Sequence, residues 1–114
     1  MNIEEVHEYC LTFKGSLACF PFDNTTLVFK VGNKMFALLN LDGRNTMNLK
    51  CDPEKAIELR EKHTGITPGF HMNKTHWNTI FFEEISSKLL TELITHSYEL
   101  VLNTLPKKEK EKIA

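Results

Sequence analysis

Between Thr26 and Lys50, apolar and polar residues alternate in three short runs separated by Gly32-Asn33 and Asp42-Gly43. Alternation with a period of two sends successive side chains to opposite faces, and such dipeptides supply the positive φ angles that tight hairpins need. The stretch therefore predicts an antiparallel meander. If both pairs are two-residue loops, Val31 faces Lys34, Phe29 faces Phe36 and Leu27 faces Leu38. In the second hairpin Phe36 then faces Leu49, and Leu38 faces Met47. One face is apolar. The other carries Thr26, Val28 and Lys30, then Met35, Ala37, Leu39 and Leu41, then Arg44, Thr46, Asn48 and Lys50, with three cations and no acid. This second face is either open to a partner or covered by a helix with the cations at its fringe.

Helices are expected on both sides of the meander in sequence. Asn2 and Glu5 have capping-box spacing, and Ile3, Val6, Cys10 and Phe13 recur at helical intervals, so residues 3–13 read as an amphipathic helix. Leu17 to Phe20 is a short apolar run before a turn at Pro21-Phe22-Asp23-Asn24. In Cys51-Asp52-Pro53-Glu54, Asp52 can cap, Pro53 suits the first helical position and Glu54 faces the positive end of the helix dipole. That helix should run to about His63 and stop near Gly65. Trp77 to Phe82 reads as a further strand. Ser86 or Ser87 then caps a last helix with Leu89, Leu90, Leu93, Ile94, Ser97, Tyr98, Val101 and Leu105 on one face, ended by Pro106. The fold class is α+β: an antiparallel meander with an N-terminal helix and two later helices, forming a single domain over 1–106. The charged tail, 107–114, has little to bury and is expected to fray.

With 114 residues and 41% hydrophobic content, the chain can build one core but not two. Its 14 Lys and Arg nearly cancel 15 Asp and Glu, so no global field draws it to nucleic acid, and any polyanion site must be a local patch. No apolar stretch approaches the roughly 20 residues that span a bilayer, and the N-terminus lacks a basic start followed by an apolar run. The expectation is a cytoplasmic protein, monomeric or weakly dimeric, with no membrane partner. Cys10, Cys19 and Cys51 are odd in number and widely spaced, which suits reduced thiols.

The densest group of contact-forming side chains lies in Pro68-Gly69-Phe70-His71-Met72-Asn73-Lys74-Thr75-His76-Trp77-Asn78-Thr79. Lys74 could hold a phosphate. Trp77 could stack on a base or sugar, or anchor the core with its indole N–H satisfied, and the histidines could serve a partner or cap local turns. A zinc site needs three or four convergent ligands, and neither a Cys pair nor a His-Glu-x-x-His helix supplies them beside His63, His71 and His76. Cys51 precedes a helix N-terminus, but no base and orienting acid accompany it at motif level. No phosphate-binding Gly loop or Gly-x-Ser-x-Gly elbow occurs. Neither a catalytic role nor a cofactor is expected.

Four blocks, FPFDNTTLVFKVGNKMFALLNLDG, NLKCDPEKAIELRE, PGFHMNKTHWNT and LLTELITHSYELV, resemble in order and spacing the MmcQ/YjbR family of small bacterial proteins, from the first helix to Pro106. The resemblance implies a CyaY-like α+β fold and a proposed double-wing DNA-binding shape, with His71, Asn73, Lys74, His76 and Trp77 matching the family's signature. A CyaY-like shape also suggests iron, but frataxin-type iron handling uses an acidic ridge. Here the dense acidic group is Glu4, Glu5 and Glu8, more simply a helix-dipole partner. The functional expectation is phosphate-backbone contact with DNA through Lys30, Arg44, Asn48 and Lys50 together with His71, Asn73, Lys74, His76 and Trp77. The alternative is a protein- or small-ligand-interaction module in which Met35, His71 and Trp77 line a pocket for an anionic or aromatic partner.

Overall fold

The computed structural model describes residues 1–113, in which the alternating stretch forms the centre of a six-stranded antiparallel sheet. In chain order the elements are α1 (Ile3–Leu11), β1 (Leu17–Cys19), β2 (Thr26–Val31), β3 (Lys34–Asn40), β4 (Thr46–Lys50), α2 (Pro53–Lys62), β5 (Ile66–Pro68), β6 (Trp77–Phe81), α3 (Ser87–Asn103) and α4 (Lys107–Ile113). The strands lie in the order β1-β2-β3-β4-β6-β5, which agrees with the α+β expectation. No helix among the described residues is long and apolar enough to cross a membrane.

Helix starts follow their local chemistry. The Asn2 side chain accepts from Glu5 N–H at 2.8 Å while the Glu5 carboxylate accepts from Asn2 N–H at 3.0 Å, completing the capping box. Asp52 accepts from Lys55 N–H ahead of Pro53, and Ser86 accepts from Leu89 N–H at 3.1 Å. All three thiols are free, with Cys10 and Cys51 buried.

The strand register departs from the expected one at a single residue. Gly32 and Asn33 form the two-residue loop with φ of 55° and 64°, so Val31 pairs with Lys34 and Lys30 with Met35 as expected. Beyond that point β3 carries one extra residue. Phe29 pairs with Ala37 instead of Phe36, Val28 with Leu38 and Leu27 with Leu39. Phe36 and Ala37 both turn to the helix side, as a bulge permits, and Leu38 moves to the opposite face while Leu39 leaves it. The second connection corrects in the same way. Ala37 pairs with Leu49, Leu38 with Asn48 and Leu39 with Met47, leaving 41–45 as a five-residue loop. Gly43 and Asn45 take positive φ there, and Asp42 accepts from Arg44 N–H at 3.1 Å in place of a tight Asp-Gly turn.

The bulge would strand a backbone carbonyl and an N–H between β3 and β4. Ser97, fully buried on α3, occupies that gap: its hydroxyl donates to Phe36 O at 2.5 Å and accepts from Lys50 N–H at 2.9 Å. A side chain thus completes the ladder where the backbone cannot. Around it the Phe36 ring meets Phe13 and Tyr98 edge-on at 5.9 and 5.3 Å, and Phe13 stacks on Tyr98 at 4.5 Å.

The principal core lies between one face of the sheet and α1, α2 and α3, with Val6, Cys10, Ala56, Leu59, Leu90, Ile94 and Val101 meeting Phe29, Leu39, Met47 and Ile80. The segment expected to fray is helical instead. Lys107–Ile113 forms α4, and Ile113 packs on the core beside Gly15, where a Cβ would stand 3.2 Å from the Ile113 side chain. One apolar residue near the end of a charged run supplies the burial that the composition hides; Ala114 lies outside the described residues.

Replacing Ser97 with Ala should lower stability by about 1–3 kcal/mol, the cost of leaving a buried carbonyl and N–H without partners. A reduced urea midpoint with an unchanged slope checks this, and an unmoved midpoint would contradict it.

Candidate ligand groove on the open sheet face

The sheet face away from the helices is built from alternate residues of every strand. Cys19, Val28, Leu38, Asn48, Thr79 and Thr67 form one continuous row across all six strands. Beside it run Thr26, Asn40, Thr46 and Phe81, with Asn40 donating to the Thr46 hydroxyl at 2.8 Å. The second row, with Leu38, Asn48, Thr79 and Thr67 of the first, floors a groove of about 690 Å³ that no helical residue lines. No helical residue lines the groove on this face, yet Val28, Leu38, Thr46, Asn48 and Thr79 are buried on it; Ala37 and Leu39 have left it for the core, Leu38 and Asn40 have replaced them, and Leu41 and Arg44 sit in the β3–β4 loop.

Three loops raise the rim. The β1–β2 connection brings Phe22 and Asp23, the β3–β4 loop brings Asp42 and Arg44, and the β5–β6 connection brings Phe70, His71 and Met72. Phe22 and Phe70 expose 63% and 60% of their surface, so two aromatic rings border the groove without being consumed by the core. The Phe70 and His71 rings touch, with centroids 4.0 Å apart.

The β5–β6 connection is held from beneath by a residue that sequence reasoning passed over. Arg60 on α2 donates to Asn78 Oδ1 at 2.6 Å, to the Lys74 carbonyl and to the Trp77 carbonyl at 3.4 Å. Asn78 in turn donates to Ala56 O, so helix, strand and loop share one guanidinium. Gly69 donates to Trp77 O at 2.9 Å, and a Cβ at Gly69 would lie 2.8 Å from that same oxygen. Phe70 N–H donates to the Thr79 hydroxyl at 3.0 Å, fixing the loop to the groove floor.

The expected site residues divide among different tasks. Asn48 lies on the floor and His71 on the rim, its φ of 59° turning the chain there. Lys30 and Lys50 do share the open face, beside Met35 and Trp77 respectively, but outside the groove. Arg44 is not a free cation: its guanidinium meets Asp42 at 2.6 Å, so the carboxylate that the expected face lacked is present. Trp77 is 9% exposed and packs against Val28, Leu38 and Met72, which makes it an anchor beneath the surface and not a stacking platform. Asn73 accepts from Thr75 N–H at 2.9 Å, and its backbone carbonyl receives His76 N–H and Trp77 N–H. Lys74 and His76 are exposed on the loop, their carbonyls accepting from Arg60 and from Cys51 N–H, and neither lines the groove. Of the expected pocket trio, Met35 and His71 line the groove and Trp77 does not.

Electrostatically the rim is mixed. Asp23 accepts from Thr25 and Thr26 N–H at 3.0 and 2.7 Å, and these bonds hold its carboxyl below the ordinary value. Asp42 is held down chiefly by the Arg44 side chain and then by the Arg44 N–H. Burial pushes the Cys10 thiol up to about 12 and raises that of Cys51 as well. Among the described residues no group of three or more His, Cys, Asp or Glu is arranged to hold a metal ion.

Comparison with known proteins gives a consistent set of likenesses. A family model described as YjbR matches residues 11–100. The chain is similar to YbdF of Escherichia coli O157:H7, at 41% identity over 97 residues, covering 83% of this chain and 80% of that protein. It is also similar to YjbR of Escherichia coli K12, at 29% identity over 113 residues, covering 97% and 96%. Among solved structures, Deinococcus radiodurans protein DR2400, with a DUF419 domain, superposes with a TM-score of 0.90 at 38% identity, covering 98% of this chain and 87% of that one. A protein from Pseudomonas syringae gives a TM-score of 0.76 at 27% identity, covering 89% and 99%.

Two outcomes follow from this geometry. Arg60→Met should cost about 1.5–3 kcal/mol, as expected for lost charged hydrogen bonds, and should speed amide exchange at Gly69 and Trp77 more than at β2 and β3. Uniform acceleration across the sheet would count against a local staple. Because folding lowers the Asp23 and Asp42 values, their contribution to stability is present above the ordinary aspartate range near 3.9 and disappears as pH falls through the lower folded values. Carboxyl carbon NMR should give both titration midpoints below that range.

Proposed function

The chain belongs to the YjbR family, and on that footing we propose that it is a non-catalytic binding module that receives a small organic ligand in the groove of its open sheet face. The observation that carries this reading is the composition of the groove. It has a floor of amides and hydroxyls, apolar patches from Met35, Leu38 and Phe81, and two exposed aromatic rings on its rim. Its volume of about 690 Å³ falls within the roughly 300–1,000 Å³ of small-molecule sites. A phosphate backbone approaching the same groove would meet Asp23 and Asp42, both held in their ionised form, and an Arg44 already committed to Asp42. Cys10 and Cys51, whose thiols burial raises, lie outside the groove and are poor nucleophiles.

A second reading, duplex DNA, draws support from Lys30 and Lys50. Both are on the open face, and neither forms an ion pair among the described residues. The two readings separate cleanly. An NMR fragment screen should give saturable shifts at Phe22, Thr67, Phe70 and Thr79, while duplex DNA at low salt should leave the protein unretarded in a gel. If DNA does bind with a log K against log salt slope of roughly −3 to −4, and Lys30→Glu with Lys50→Glu abolishes it, the DNA reading replaces the first.

A further inference from the structure

The hydrogen bonds on the groove floor run in series and fix the direction of one amide. Thr79 Oγ1 accepts from Phe70 N–H at 3.0 Å and lies 2.6 Å from the Asn48 side-chain oxygen. That second distance suits an O–H···O bond and is short for N–H···O. The opposite orientation of the amide would place Asn48 Nδ2 against the hydroxyl and leave the single hydrogen of Thr79, which is 7% exposed, with no acceptor. Thr79 therefore donates to Asn48 Oδ1, and Asn48 Nδ2 takes the other side.

Among the described residues that nitrogen has no hydrogen-bond acceptor, although Asn48 is only 7% exposed. No fully buried side-chain nitrogen or oxygen among the described residues lacks a partner, so Nδ2 must be reachable, and the cavity that Asn48 lines is the groove. A nearly buried amide with its oxygen satisfied and its two N–H donors facing a cavity calls for a ligand acceptor. Thr46, two residues along β4 and also on the floor, has a hydroxyl that already accepts from Asn40.

Resting on the reading of the groove as a small-molecule site, we infer that its ligand is a neutral planar ring bearing a carbonyl, with the carbonyl accepting from Asn48 Nδ2 and the ring lying against Phe70, whose N–H is tied to Asn48 through the Thr79 hydroxyl. The rim argues against an anion, because Asp23 and Asp42 oppose a carboxylate and Arg44 is already paired; a neutral carbonyl meets the Asn48 donors without that repulsion. Planarity follows from the exposed Phe70 ring, which gains contact area and favourable offset stacking from a flat partner. Asn48 thereby becomes the specificity-determining residue, because a ring without an acceptor would leave its donors unpaired.

The test uses the full ¹⁵N-labelled chain titrated with benzamide, benzoate and indole, which present a neutral carbonyl, a charged acceptor and no acceptor. Benzamide should move the Asn48 side-chain NH₂ signals saturably, and benzoate and indole should bind at least about tenfold more weakly. Asn48→Asp, which keeps an acceptor for Thr79 but removes the donor, should weaken benzamide by at least about tenfold. The wild-type comparison decides the matter even if that variant folds poorly. Equal binding of benzamide and indole in the groove, with the Asn48 NH₂ signals unmoved, would overturn the ligand class while sparing the groove as a binding site. If none of the three probes perturbs any groove residue, the ligand class and the small-molecule reading fall together.

Discussion

The buried hydroxyl of Ser97 lets the sheet break its own alternation. With that group bridging Phe36 O and Lys50 N–H, two consecutive residues of β3 can face the helices without leaving polar backbone atoms stranded. The consequence reaches the other side of the sheet, because every later residue of β3 exchanges faces. Leu38 and Asn40 enter the open face in place of Ala37 and Leu39, and Asn48 pairs with Leu38 instead of Ala37. An interaction between α3 and the sheet thus determines which side chains form the groove floor.

Local structure was readable in the sequence where its cause was local. The capping box of Asn2 and Glu5, the Asp52-Pro53 start, the Ser86 cap and the Gly32-Asn33 turn each depend on residues within a few positions of one another. The bulge at Phe36 does not. It is stabilised by Ser97, 61 residues away, and an unbroken hydrophobic run gives no sign of it. Strand β5 escaped notice because three residues carry no readable period, and α4 because its burial rests on Ile113 alone.

The candidate site shows the same division. A cluster of donors and rings lies between Pro68 and Thr79, but most of its polar capacity is spent on holding its own shape. Asn73 caps a turn, the Lys74 and Trp77 carbonyls receive Arg60, and Trp77 packs beneath the surface. What the segment delivers to the groove is Pro68, Phe70, His71 and Met72, with Thr79 on the floor. Arg60 could not be picked out because its partners lie 14 to 18 residues ahead, across a helix terminus and a strand. Net charge was a better guide: a nearly balanced chain carries a mixed rim, with Asp23 and Asp42 alongside Arg44.

Both outer strands are only three residues long, and the last residue of β5 is Pro68, which has no N–H to offer. A neighbouring molecule seeking to extend the sheet would find at either margin too few open donors and acceptors to template a stable intermolecular strand. The groove can therefore stay open at its mouth while the short outer strands discourage edge-to-edge growth of the sheet.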